Sequence, residues 1–248
     1  MSKTVLITGG SRGIGAATAL MAASQGYAVA VNFASNSLAA DEVVRQIRAG
    51  GGQAITVQAD VASEREVTAM FEKIDARFGR LTALVNNAGV VDYTARVDAM
   101  TLERLQRMFA INVFGSFLCA RQAVLRMSTR YGGAGGSIVN MSSAASRLGS
   151  PGQYVDYAAA KGAIDSFTLG LAKEVASEGI RVNAVRPGII ETEIHASGGL
   201  PDRAREVAPM VPMQRAGTAA EVAEAIMWLL SGQSSYATGA LLDIAGGR

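Results

Sequence analysis

Tyr157 and Lys161 stand four residues apart in the run Tyr-Ala-Ala-Ala-Lys. At that spacing two side chains share one face of a helix. An ammonium beside a phenol favours the phenolate. Bringing a tyrosine from about 10 to near 7 needs roughly 4 kcal/mol of preferential phenolate stabilisation. One surface lysine does not supply that; a desolvated lysine helped by a second positive group can. By itself the pair is common by chance. Asp156, next to the tyrosine, either touches a polar substrate or sits as a solvated charge. His195 is the only histidine, readable as a substrate contact or as a solvent-facing loop residue. A Ser-His-Asp hydrolase would need it, yet no G-x-S-x-G elbow exists. Cys119 lies among Phe114, Phe117 and Leu118 and reads as core. One histidine and one cysteine leave only carboxylates for a metal, so no metal site is expected.

A second cluster lies near the start of the chain. Thr8-Gly9-Gly10-Ser11-Arg12-Gly13-Ile14-Gly15 follows a strand-like run and opens a helical pattern. Glycines there let the backbone turn sharply and approach a pyrophosphate, and a helix N-terminus offers free N–H groups. The spacing is GxxxGxG rather than GxGxxG, and its place in a βαβ unit makes the dinucleotide reading. An acid about 20 residues on would bind the ribose 2′-hydroxyl of NAD. The corresponding stretch is Asn32-Phe33-Ala34-Ser35-Asn36, and the first acidic residue in the chain is Asp41. The missing carboxylate permits a 2′-phosphate. Arg12 can meet that phosphate, or stand as a solvated arginine. Asn32 and Ser35 can add neutral hydrogen bonds.

These residues need elements to position them. Apolar, β-branched runs at 5–8, 28–33, 54–58, 84–86, 137–141, 181–185 and 241–244 predict strands. Between them, helical patterns fall at 14–25, 36–49, 63–78, 101–128, 155–177 and 219–231. Such alternation predicts βαβ crossovers and a parallel sheet. Asp41, and Ser63 with Glu66 at capping-box spacing, read as helix starts. The glycine-rich stretches 50–52 and 132–136 precede strands and read as turns, so residues 1–248 are expected to form one domain. Residues 188–213 lack an obvious strand and read as a substrate lid. Met210 and Met213 within it either line a pocket or pack ordinarily.

Composition narrows the classes. Of 248 residues, 49% are hydrophobic and 18% charged, which excludes general disorder. The net charge of +2 comes without a Lys/Arg run, so no nucleic-acid partner is expected. The strand-like run at 5–8 leaves no room for a signal peptide, and no stretch of about 18 apolar residues predicts a membrane span. The single thiol fits a reducing compartment, and the cytoplasm is the expected location.

The chain resembles the short-chain dehydrogenase/reductase family over essentially its whole length. The matching residues are 8–15, Asp60-Val61, Asn86-Asn87-Ala88-Gly89, Asn112, Ser142-Ser143, Tyr157 with Lys161, Arg181-Val182-Asn183, Pro187-Gly188 and Thr238-Gly239 with Gly246-Gly247. Among members it is similar to bacterial NADP-preferring β-ketoacyl-carrier-protein reductases and sugar dehydrogenases. The resemblance implies a Rossmann-like domain with a seven-stranded parallel sheet, order 3-2-1-4-5-6-7, and a homotetramer. It implies NADP(H), favoured over NAD(H), and interconversion of a carbonyl and a secondary alcohol. Tyr157 is then the general acid or base. Lys161 lowers its pKa and holds the nicotinamide ribose, Ser143 binds the substrate oxygen, and Asn112 holds a water linking Lys161 to solvent. Gly9, Ser11, Arg12, Gly13, Ile14 and Gly15 take the phosphates. Asp60 and Val61 meet the adenine, and Asn87, Ala88 and Gly89 line the cofactor. Pro187, Gly188, Ile190 and Thr192 flank the nicotinamide.

One departure stands out. The family's serine usually lies 13 residues before its tyrosine, whereas Ser143 is 14 and Ser142 is 15 before Tyr157. The segment Gln153-Tyr154-Val155-Asp156-Tyr157 carries one extra residue, which is expected to reshape the substrate loop. Three functions stay open: NADP(H)-dependent carbonyl reduction, an NAD-linked sugar or alcohol dehydrogenase, and a non-catalytic NADP-binding regulatory protein. The last fits poorly with a retained Tyr/Lys pair. A carrier-bound substrate would call for a basic patch, for which Arg126, Arg130 and Arg147 are candidates.

Overall fold

Consecutive residues of the first strand are all apolar, so both sides of the sheet must be covered. In the computed structural model, which describes residues 3–248 apart from the side chain of His195, Val5 and Ile7 face one core and Leu6 the other. Seven strands form one parallel sheet in the order β3-β2-β1-β4-β5-β6-β7. They are β1 Lys3–Ile7, β2 Tyr27–Phe33, β3 Ala54–Gln58, β4 Ala83–Asn86, β5 Gly136–Met141, β6 Ile180–Pro187 and β7 Leu241–Ile244. All seven expected runs are strands, with ends shifted by at most two residues.

The helices lie on both faces. The first core holds α1 (Gly13–Ser24), α2 (Ser37–Ala49) and α10 (Ala219–Leu230) against the sheet through Ala19, Ile47 and Ile226. The opposite core is closed by α3 (Glu64–Phe78), α5 (Gly115–Met127) and α7 (Val155–Val175), through Phe71, Cys119 and Val175. Cys119 is fully buried, and burial pushes its thiol up to about 12, so it packs as core.

The helix expected at 101–128 is continuous but not uniform. It runs as α4 (Leu102–Phe109), a π turn at Ala110–Phe114, then α5. Leu102–Met127 is long and apolar enough to cross a membrane, contrary to the expectation that no such stretch exists. Half of its most apolar window is buried inside the domain, where the helix packs against the sheet.

Two helix starts differ from expectation. Asp41 lies inside α2, which begins earlier because Asn36 accepts from the Ala39 amide at 3.0 Å. Ser63 does cap α3, but the Glu66 carboxylate turns to the Asp60 amide instead of back to Ser63. The reciprocal capping box forms at Thr218 and Glu221. Residues 188–213 are not bare loop. They hold two short helices, α8 (Ile194–Ser197) and α9 (Arg203–Val207), and an isolated bridge joins Ile190 to Gly217. Between β5 and α7 lies one more short helix, α6 (Ala145–Leu148).

Candidate active site

Parallel strands all end on the same edge, and ligands of such sheets bind there. On this edge the end of β1 leads into the glycine turn, β4 into Asn87-Ala88-Gly89, β5 into Ser142 and Ser143, and β6 into Gly188. The first turn of α7 brings Tyr157 to the same place, with Lys161 one turn behind. Together they line a cleft of about 460 Å³ that also takes in Ile14, Asn87 and Gly89. Pro187, Gly188, Ile190 and Thr192 close its opposite side.

The glycine turn is held by side chains from other strands. Asn87 donates to the Thr8 and Gly9 carbonyls, both at 2.9 Å. The Thr8 hydroxyl accepts from the Asn87 and Ala88 amides at 3.0 Å each. This packing leaves no space at Gly15, where a Cβ would lie 2.4 Å from the Gly9 carbonyl oxygen. Gly9 has φ +59, a left-handed value that favours glycine. Gly13 faces Thr192 from the lid: a Cβ there would sit 3.2 Å from the Thr192 methyl. The turn is thus a cradle of bare backbone at the start of α1, which suits an anionic nucleotide phosphate.

Asn32 is a correction. Its side chain is buried, its oxygen accepts from the Gly9 amide, and its amide donates to the Val57 and Ala59 carbonyls at 3.2 and 3.0 Å. It ties the glycine turn to β3 and has no group left for a cofactor phosphate. Ser35 and Arg12 are exposed, and the Arg12 side chain has no hydrogen-bond or ion-pair partner among the described residues. No acid follows β2 before Asp41. Asp60 is exposed just past β3 and accepts from the Ala62 amide, while Val61 is buried against Gly115 of α5.

At the centre of the cleft, Lys161 is buried and donates to the Met141 carbonyl at 2.7 Å. Its ammonium lies 5.5 Å from the centre of the Tyr157 ring. Burial lowers the lysine to about 8, opposed by Asp165. Burial by the surrounding protein pushes the Tyr157 hydroxyl up to about 12, and a hydrogen bond with Ser143 only partly offsets this. The Lys161 ammonium is engaged by the Met141 carbonyl and set over the face of the ring. Ser143 is the serine that meets Tyr157, and its oxygen also accepts from the Ala145 amide at 3.1 Å. Ser142 instead donates to the Lys161 carbonyl.

Asn112 sits in the π turn, a distortion frequent at functional sites. Its side chain accepts from the Val90 amide and donates to the Val90 and Met108 carbonyls. A Cβ on Gly89 would fall 2.8 Å from the Asn112 side-chain oxygen and 3.6 Å from the Lys161 nitrogen. Asn112 therefore holds the 89–90 turn beside Lys161.

Several residues were not legible in the sequence. Asp156 is neither a substrate contact nor a solvated charge. It forms a buried, two-pronged ion pair with Arg104 at 2.7 and 3.3 Å, and Arg104 also donates to the Tyr93 carbonyl. Nothing in the sequence links residues 52 apart. Tyr154, Gln153 and Arg203 line the cleft as well. The segment Gln153–Tyr157 contributes to this wall, and the turn that leads into it has positive φ at Gly149, Ser150 and Gly152. Met210 and Met213 do not line this cleft; both are exposed, and Met213 lines a separate cavity with Val211 and Asp243. Arg126 pairs with Asp75, Arg147 with Asp243, and Arg130 lies over the Tyr131 ring; Arg126 and Arg130 precede β5 and Arg147 follows it, so the three do not form one basic patch. Both readings of His195 concern a side chain outside the described residues.

A family model described as Enoyl-(Acyl carrier protein) reductase matches residues 9–248. The chain is 58% identical over 98% of its length to an uncharacterized oxidoreductase, YgfF, of Escherichia coli, covering 98% of that protein. It is 40% identical to a 3-oxoacyl-[acyl-carrier-protein] reductase of Synechocystis, over 99% of this chain and 96% of that one. A solved mutant of a Serratia marcescens short-chain dehydrogenase/reductase superposes with a TM-score of 0.91 at 32% identity, covering 100% of this chain and 98% of that one. This chain belongs to the short-chain dehydrogenase/reductase family. It is an oxidoreductase of the kind that acts on CH–OH and C=O groups, and its sheet order is the one the family resemblance implies. It is also 37% identical to glucose 1-dehydrogenase 2 of Bacillus subtilis, over 99% and 94% of the two chains, so the relatives include both reductases and dehydrogenases.

Proposed function

We propose that this short-chain dehydrogenase/reductase reduces a carbonyl to a secondary alcohol with NADPH, Tyr157 being the proton donor. The observation that carries the reading is the convergence of Ser143, Tyr157 and Lys161 on one cleft rimmed by the glycine turn. NADP(H), when bound, supplies the hydride. The bare backbone of Gly9, Gly13 and Gly15, with Ser11 and Ile14, would hold its phosphates, and Asn87, Ala88 and Gly89 would line its path. Asp60 and Val61, past the end of β3, would border the adenine. Pro187, Gly188, Ile190 and Thr192 would flank the nicotinamide.

The remaining work belongs to the chain. The Ser143 hydroxyl donates to the substrate oxygen and stabilises the charge that develops there. The Tyr157 hydroxyl, held protonated by its surroundings, gives its proton to that oxygen. Lys161 would hold the nicotinamide ribose, and Asn112 positions the turn against which Lys161 lies. Arg12 and the absence of an acid after β2 support NADPH over NADH.

The test is NADPH and NADH consumption on a panel of ketones, with fluorescence titration of both cofactors. Losing one charged phosphate contact costs about 1.5–3 kcal/mol, roughly ten- to a hundredfold. The expected result is NADPH bound that much tighter, with Arg12→Ala erasing the gap. NADH bound as well as NADPH would overturn the cofactor reading and favour an NAD-linked sugar or alcohol dehydrogenase. NADPH binding without turnover of any carbonyl or alcohol would favour a regulatory protein. A homotetramer is part of the same proposal, supported by the exposed apolar Phe114, Phe117, Leu125 and Leu169 on the long helices.

A further inference from the structure

The cleft has a one-sided charge. Its lining contains Lys161, Arg203 and Arg248, and none of its described lining residues is acidic. Lys161 is engaged at the centre by Met141. Arg203 is different. It starts α9 in the lid, is half-buried, and forms no ion pair among the described residues. Its guanidinium is fixed in two ways: it donates to the Gln153 side-chain oxygen at 2.6 Å, and it lies 5.3 Å from the centre of the Tyr154 ring. Tyr154 is buried and stands three residues before Tyr157.

A half-buried guanidinium without a carboxylate partner is a poor structural device. Neighbouring arginines of this protein do find acids: Arg104 pairs with Asp156 and Arg186 with Asp165. Arg203 uses one donor on Gln153 and the face of its plane on Tyr154, so most of its fork of five N–H groups stays available. That fork matches an oxyanion with two parallel hydrogen bonds. Both groups that orient it, Gln153 and Tyr154, belong to the segment in which this chain carries its extra residue.

We propose that the substrate is an anionic carbonyl compound, a ketone bearing a carboxylate or phosphate, and that Arg203 binds its oxyanion. The proposal rests on the carbonyl-reduction reading above and adds the substrate's charge. Arg203 is here a specificity-determining residue that touches substrate. With its anion on Arg203, the substrate has its other end directed along the cleft to Ser143 and Tyr157.

The test uses the protein saturated with NADP+, which cannot reduce the probe, and titration calorimetry with matched pairs. These are acetoacetate against methyl acetoacetate, and dihydroxyacetone phosphate against dihydroxyacetone. The expected result is that at least one anion binds tenfold or more tightly than its neutral partner. Arg203→Gln should remove that gap, weakening the anion tenfold or more relative to its neutral partner. Arg203→Lys, which keeps charge but loses the fork, should retain part of it. The pair that shows the gap tells carboxylate from phosphate. Equal binding of anion and neutral partner in both pairs would overturn the proposal, as would an equal loss of both in Arg203→Gln. Reduction of methyl acetoacetate with NADPH is scored separately. Turnover of that ester with no anion preference sinks this inference alone. Arg203-dependent anion binding with no turnover of any probe sinks the carbonyl-reduction reading alone.

Discussion

The two halves of the cleft handle polar side chains in opposite ways. On the glycine-turn side, Thr8, Asn32 and Asn87 are all engaged with backbone groups of the protein itself. They shape a backbone surface: the Asn32 side chain is used at both its oxygen and its amide, and the Asn87 amide is spent on the turn. On the lid side, Ser143 and Tyr157 open onto the cleft, and Arg203 does so without an acid to neutralise it. The contrast teaches how one domain can keep a common cofactor and vary its substrate. A backbone cradle depends on glycines and their buttresses, whereas a substrate wall depends on a few side chains carried by short helices.

Changes on the cradle side sharpen this contrast, the largest effect first. Gly15→Ala puts a methyl group 2.4 Å from the Gly9 carbonyl, so the turn must move. Forcing extra volume into a packed site costs about 1–3 kcal/mol, and if that cost falls on the nucleotide-bound form, affinity for NADPH drops by up to roughly a hundredfold. Fluorescence titration reads this directly, and unchanged affinity would break the account of the cradle. Asn32→Ala is expected to do something else. It orphans the Gly9 amide and two carbonyls, which should lower stability by about 1–3 kcal/mol in denaturant unfolding. The ratio of NADPH to NADH affinity should stay as in the wild type. If the ratio changed while stability did not, Asn32 would be a cofactor ligand after all.

The same contrast explains what could be read from the sequence. The seven strands were legible because buried parallel strands are apolar on both faces, as in Val5, Leu6 and Ile7. The glycine turn and the Tyr157–Lys161 pair were legible because they are local: each lies within one turn or one helix. Asn32 was misread because its type and position suit a ligand, and only the third dimension reveals Gly9, Val57 and Ala59 around it. Asp156 was ambiguous for the same reason, since its partner Arg104 comes from a helix 52 residues away. Arg203 carried no local signal at all. Its meaning arises only when α9 folds over Tyr154.

Tyr157 is where the two halves meet, and the direction of its acidity was not legible either. The lysine four residues on was legible; the burial that raises the Tyr157 hydroxyl and the Met141 carbonyl that holds the ammonium were not.

The most direct test of the central claim is single-turnover reduction of a ketone substrate by NADPH, comparing wild type with Tyr157→Phe at saturating cofactor. General acid catalysis is worth about a hundred- to ten-thousandfold. The account predicts a loss of that size in the rate of alcohol formation, with NADPH affinity held within about twofold. Wild-type turnover by Tyr157→Phe would contradict it.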